Sequence, residues 1–267
     1  MQTTFWLATY VVSGALIGFL AGLLGIGGGM TLVPVLSALF AAQALAPDHT
    51  VHLALGTGMA SVMFTSSASV REHHRHGAVD WRIVSRLAPG MVAGSLLSTL
   101  ASGWLPQRVL ALAFAAIVFV GATQILLGRK PAASRALPGP VALTAIGLVI
   151  GALCGLVAAG GTFLTVPLML FCGVPMHTAI GTAAALGIPT AVIGTIGYIW
   201  SGWYVADLPP YTLGFVLLPA LAALVLASIL TAPMGARFAH RLPVATLKRV
   251  FACLLYLLAA KMAIAYW

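Results

Sequence analysis

The chain has 267 residues, of which 61% are hydrophobic and only 6% charged, with a formal net charge of +9. Soluble domains carry roughly 25% charged residues, and no soluble fold of this length has interior enough for so much apolar surface, so the sequence describes a polytopic membrane protein. The cations are spread over short connections between apolar runs, the arrangement that orients membrane proteins, and this speaks against nucleic acid as a partner.

The first apolar run, 5–24, has no basic segment before it and is long enough to span a bilayer. It reads as a retained first transmembrane helix rather than a signal peptide. Runs at 30–45, 52–70, 83–104 and 108–128 follow. A polar, basic, Pro- and Gly-rich stretch, RKPAASRALPGP from Arg129 to Pro140, then separates them from runs at 140–157, 163–174, 177–200, 212–236 and 246–265. The expected fold class is therefore an all-α polytopic membrane protein with eight long helices and two short or broken ones, at 30–45 and 163–174. Its expected organisation is one membrane repeat over 1–128, a cytoplasmic linker over 129–139 and a second repeat over 140–267.

The repeat is written in the residues. Gly22–Leu36 reads GLLGIGGGMTLVPVL and aligns without a gap on Gly155–Met169, GLVAAGGTFLTVPLM. Gly27 falls on Gly160, Gly28 on Gly161 and Pro34 on Pro167. After a shift in register, His52-Leu-Ala-Leu-Gly-Thr57 falls on His177-Thr-Ala-Ile-Gly-Thr182, and after another, Leu105-Pro106 falls on Leu242-Pro243. The charge bias inverts between the halves. The connection after the third run carries Arg71, Arg75, Arg82 and Arg86, whereas the basic connection of the second half follows the ninth run, with Arg237, Arg241, Lys248 and Arg249. If basic connections are cytoplasmic, equivalent connections lie on opposite sides, which requires two inverted-topology repeats of about five segments each.

The glycine frames interrupt apolar runs and admit two readings. Small residues let helices pack closely. Alternatively the helix breaks at membrane depth, which is tolerated only where the backbone is buried or lines a cavity, and leaves a helix N-terminus as a natural anion site. Gly27, Gly28, Gly29 and Pro34, with Gly160, Gly161, Thr162 and Pro167, are the residues concerned. His52 and His177 are either interfacial or capping residues or a pair flanking a polar path. Thr57 and Thr182 either bond their own backbone or donate to substrate. Beyond Thr57 the same segment carries Ser61, Thr65, Ser66, Ser67 and Ser69, whereas the second copy holds mostly Ala, Leu and Pro, so the two halves differ in chemistry.

The four acidic residues, Asp48, Glu72, Asp80 and Asp207, all fall in expected connections, which gives no support to coupling through a buried carboxylate. Export of an anion from a negative interior needs no coupling ion, since the potential supplies about 2.3 kcal/mol per charge per 100 mV. The tract His73-His74-Arg75-His76 lacks accompanying acidic or Cys ligands, the three cysteines sit inside apolar runs, and no nucleophile–base spacing stands out. No metal, cofactor or catalytic residue is therefore expected, and the chain reads as a non-enzyme.

The frame Gly22–Pro34, its copy Gly155–Pro167 and the two H-x-A-x-G-T elements resemble the TauE/SafE family of membrane permeases over essentially the whole chain. The resemblance implies a multi-pass protein of the bacterial inner membrane that transports small sulfur-containing anions, with export of sulfite or an organosulfonate such as sulfoacetate as its expected role. It places the substrate at Gly27, Gly28, Gly29, Pro34, Gly160, Gly161, Thr162 and Pro167, with His52, Thr57, His177 and Thr182 beside them. The expected partners are a small anionic substrate and the lipid bilayer, with a homodimer left open. The competing reading is a small-anion or weak-acid channel without ion coupling.

Overall fold

The computed structural model describes residues 2–24, 28–127, 137–239 and 244–267. The expected linker at 129–139 falls largely outside them, as does Gly27. Among the described residues there are ten helices: α1 (Gln2–Leu24), α2 (Gly29–Ala42), α3 (Thr50–Arg75), α4 (Trp81–Ser102), α5 (Gln107–Leu127), α6 (Pro140–Leu156), α7 (Thr162–Phe171), α8 (Met176–Ser201), α9 (Leu218–Ala239) and α10 (Val244–Tyr266). Helices α1, α3, α4, α5 and α8 are long and apolar enough to cross a membrane. The two helices that follow the glycine frames, α2 and α7, are the shortest of the described ones, with 14 and 10 residues.

Two boundaries differ from the apolar runs, each for a local reason. Residues 212–217 do not open α9. They form an antiparallel hairpin of β1 (Thr212–Leu213) and β2 (Val216–Leu217). Tyr211 and Gly214, at φ +64° and +53°, hold left-handed conformations that a right-handed helix cannot contain. Conversely, α3 runs past its apolar part to Arg75, whose cation in the last turn favours the negative end of the helix dipole.

The repeats are inverted in space. His52, near the start of α3, bonds the end of α4 at Ser102, so these neighbours are antiparallel. The end of α4 also meets the end of α8, where Gly103 lies against Ser201. Helices α4 and α8 are therefore parallel, and α3 and α8, which are repeat equivalents packed on each other, run in opposite directions.

The repeats also interlock. Helix α1 packs along α9, and its equivalent α6 packs along α4, so each repeat's first helix lies on the other repeat's fourth. Small residues make this possible, since lipid tails provide no hydrophobic drive between helices and association depends on close approach. A Cβ at Gly14 or Gly18 would collide with Leu224 or Ser228 of α9, and one at Gly147 or Gly151 would collide with the backbone at Leu87 or Met91 of α4. These are the same seam built twice: Gly14 corresponds to Gly147, Gly18 to Gly151, Leu224 to Leu87 and Ser228 to Met91.

Candidate substrate site at the paired helix breaks

Both glycine frames interrupt the chain between helices. Helix α1 ends at Leu24 and α2 starts at Gly29, while α6 ends at Leu156 and α7 starts at Thr162. Gly28 and Gly161 are the N-caps, at φ +69° and +90°. A side chain there would cost roughly 1–2 kcal/mol, which explains the one glycine common to both caps. Neither cap carries a side chain that could accept from the first turn, so the leading N–H groups and the positive dipole end of α2 and α7 face the breaks. The Thr31 hydroxyl donates to the Gly28 carbonyl at 2.8 Å, and the Thr165 hydroxyl to the Gly161 carbonyl at 2.7 Å. Each bond ties down a cap carbonyl and keeps acceptor character away from the donors.

Pro34 and Pro167 sit inside these short helices. Lacking an N–H, each leaves the carbonyl four residues back, at Met30 and Phe163, without its helical donor. Pro34 is buried and Pro167 half-buried.

The two breaks meet. Gly29 lies against the Ala158 carbonyl so closely that a Cβ has no room, and Gly58 of α3 faces Ala158 from the other side. Gly160 faces Val62 and Ser66 of α3 and Gly187 of α8. Ala158 itself holds φ +48°, an uncommon conformation for a residue with a side chain. The buried Tyr198 hydroxyl donates to the Gly155 carbonyl at 2.9 Å and so anchors the end of α6 just before its break. The side chain of Thr162 lies outside the described residues.

A small cavity opens at the first break. Gly28, Gly29 and Leu32 of α2, Ser61, Val62 and Thr65 of α3, Ile17 and Ala21 of α1, and Leu224 and Ser228 of α9 line it. It has about 10 Å³ for the centre of a water molecule, on the order of one water. The matched place at the second break is filled: the Met91 methyl lies 2.6 Å from where a Cβ on Gly161 would be.

The remaining candidates bond elsewhere. His52 is 1% exposed, and its Nε2 donates to the carbonyls of Ser102 and Leu105 at 2.9 and 3.2 Å. Since both partners are acceptors, Nε2 carries the proton. His177 is exposed at the start of α8. The Thr57 hydroxyl accepts from the backbone N–H of Leu217 at 3.0 Å, and the Thr182 hydroxyl accepts from that of Asp80 at 2.9 Å. The glycine before each threonine lies under a carbonyl of the same segment, Gly56 under Phe215 and Gly181 under Ala78. Thus each G-T pair grips the segment that enters the other repeat's fourth helix, α9 in one case and α4 in the other.

No carboxylate reaches the breaks. Asp48 and Asp207 are exposed in connections, Glu72 is exposed in the last turn of α3, and Asp80 caps α4 by accepting from the backbone of Arg82 and Ile83. The chemistry at the breaks is that of N–H and O–H donors in an apolar surround, which stabilises negative rather than positive charge. Of the residues that shape this place, Ser61 and Thr65 stand in the hydroxyl-rich run of the third segment. Ser228 and Met91 carry no such signal; only extending the Leu105–Leu242 register backward pairs them.

Comparisons with known proteins show the family. The family model described as "Sulfite exporter TauE/SafE" matches residues 10–262. A probable membrane transporter protein of Haemophilus influenzae is 34% identical over 250 residues, covering 93% of this chain and 95% of that protein. The probable membrane transporter protein YdhB of Bacillus subtilis is 27% identical over 240 residues, 87% of this chain and 90% of its own. A probable membrane transporter protein of Methanocaldococcus jannaschii is 23% identical over 242 residues, 87% of this chain and 86% of its own. No solved structure gives a significant match. With its helices long and apolar enough to span and a family match that runs almost from end to end, this chain is a multi-pass membrane protein and belongs to the TauE/SafE transporter family.

Proposed function

We propose that this protein carries small sulfur-containing anions, sulfite or an organosulfonate such as sulfoacetate, outward across the bacterial inner membrane. Membership in a family described by sulfite export supports the substrate class. One structural observation carries the location of the site: two uncapped helix N-termini, at Gly28 and Gly161, belong to breaks that meet inside the protein, with hydroxyls nearby and the four carboxylates elsewhere. An anion gains from the donors at a helix N-terminus without needing a countercharge. Outward movement is favoured by the membrane potential, so the absence of a carboxylate from the breaks is compatible with export. Exchange between the two faces would come from one set of helices rocking against the other.

The test is flux of labelled sulfite and of short sulfonates from proteoliposomes, with small carboxylates as controls. Gly28→Leu and Gly161→Leu put a branched side chain at left-handed caps. At least one of them should abolish flux while the protein still elutes as a folded monodisperse species. Undiminished flux in both variants sinks the assignment to the breaks.

A further inference from the structure

The two breaks are equivalent in sequence frame and backbone but not in what surrounds them. At the first, Ser228 of α9 leaves space beside Gly28 and Gly29. At the second, the corresponding residue of α4 is Met91, whose methyl occupies the space beside Gly161. The third-helix positions diverge in the same sense: Ser61 lies at the first cavity, and its counterpart in α8 is Leu186, fully buried. Ser61 is 4% exposed and lines the cavity. Its hydroxyl donates to no described residue, unlike Thr65, which donates to the carbonyls of Ser61 and Val62. A hydroxyl on a buried residue that lines a cavity, with its donor unspent, marks a place for an acceptor.

We propose that the protein has a single anion site, at the first break, in which the Ser61 hydroxyl and the leading N–H groups of α2 bind an oxyanion, and that Met91 occludes the pseudo-symmetric second site. This rests on the transport reading above and narrows it. The ligand class is a small anion, whose acceptor oxygens the Ser61 hydroxyl and the leading N–H groups of α2 can meet as donors. Ser228 contributes by being small: its own hydroxyl donates to the Val225 carbonyl at 3.1 Å. The room present accommodates about one water, so the site is closed here. The cavity lies between α1 and α9 on one side and α2 and α3 on the other.

Two measurements on the full-length protein test this. The first is equilibrium binding of labelled sulfite to the purified chain, where one site per chain is expected and two overturn the proposal. The second is proteoliposome flux of the same ion. Ser61→Ala should raise KM about tenfold, the scale of one hydrogen bond to a charged group. Ser228→Met, which rebuilds at the first break the filling found at the second, should reduce binding and flux at least tenfold. If Ser228→Met fails to fold, the KM of Ser61→Ala decides. Wild-type KM in Ser61→Ala, with flux intact, overturns the one-site inference and leaves the transport reading standing. A wild-type protein that moves neither sulfite nor sulfonates removes both.

Discussion

Replacing Thr57 by Val tests whether the duplicated G-T pairs act as clamps between repeats. Valine keeps the shape and removes the hydroxyl oxygen that accepts from the Leu217 N–H. Thr57 is fully buried, and Leu217 is 6% exposed, so the orphaned donor has no ready route to water. Such a group costs about 1–3 kcal/mol. At roughly 2–4 °C per kcal/mol for a chain of this size, the melting temperature should fall by several degrees. The matched change, Thr182→Val, frees the Asp80 N–H, but Asp80 lies at a helix start with partial access to solvent, so its penalty should be the smaller of the two. Thr57→Ser keeps the acceptor and should recover most of the loss. Intrinsic tryptophan fluorescence during heating of the purified protein reads all three, and sulfite flux well below the melting temperature should survive in each. A Thr57→Val protein that melts with the wild type yet transports nothing would refute the clamp and make the hydroxyl a substrate ligand.

Two further outcomes follow from the same contacts. His52→Phe keeps a ring against Phe215, 4.9 Å away between centroids, but strips the Ser102 and Leu105 carbonyls of their donor; it should cost about 2 kcal/mol, seen as a lowered melting temperature, and equal stability would deny the cap. For topology, single cysteines in a cysteine-free background should label from opposite faces. Tyr204→Cys, in the connection after α8, should react with a membrane-impermeant maleimide in intact cells, and His76→Cys, in the equivalent connection after α3, only in permeabilised ones; labelling from the same face would contradict the inverted arrangement.

Much of the architecture was legible because a membrane chain writes its rules plainly. Apolar length marks the helices, and a glycine frame ending in proline marks where each half breaks. The segment 212–217 was misleading because its apolar content suits either a helix or a small buried hairpin, and Tyr211 gives no hint of its positive φ. The H-x-A-x-G-T elements were visible as repeats, but their bonding was not. Whether Thr57 faces a substrate or the Leu217 backbone depends on a partner in the other repeat, which no local pattern announces. The same holds for Met91: a methionine in an apolar helix carries no mark of the glycine it sits against.

The exchange of first helices between the repeats has a consequence for biogenesis. While the chain is being made, α1 enters the bilayer with its glycine face open and has to wait for α9, the ninth of the ten described helices, before that face is covered. On α4, the matching seam waits only for α6. The amino-terminal half is thus inserted long before it is finished, and its own seam cannot close without the other half. Split between α5 and α6 and co-expressed as two polypeptides, the halves should still find each other, because the seams and the G-T clamps, rather than the connecting segment, supply the recognition. The cell, for its part, has to shield a half-built surface throughout the synthesis of the second repeat, and a truncated product that stops there leaves that surface open to the wrong partner.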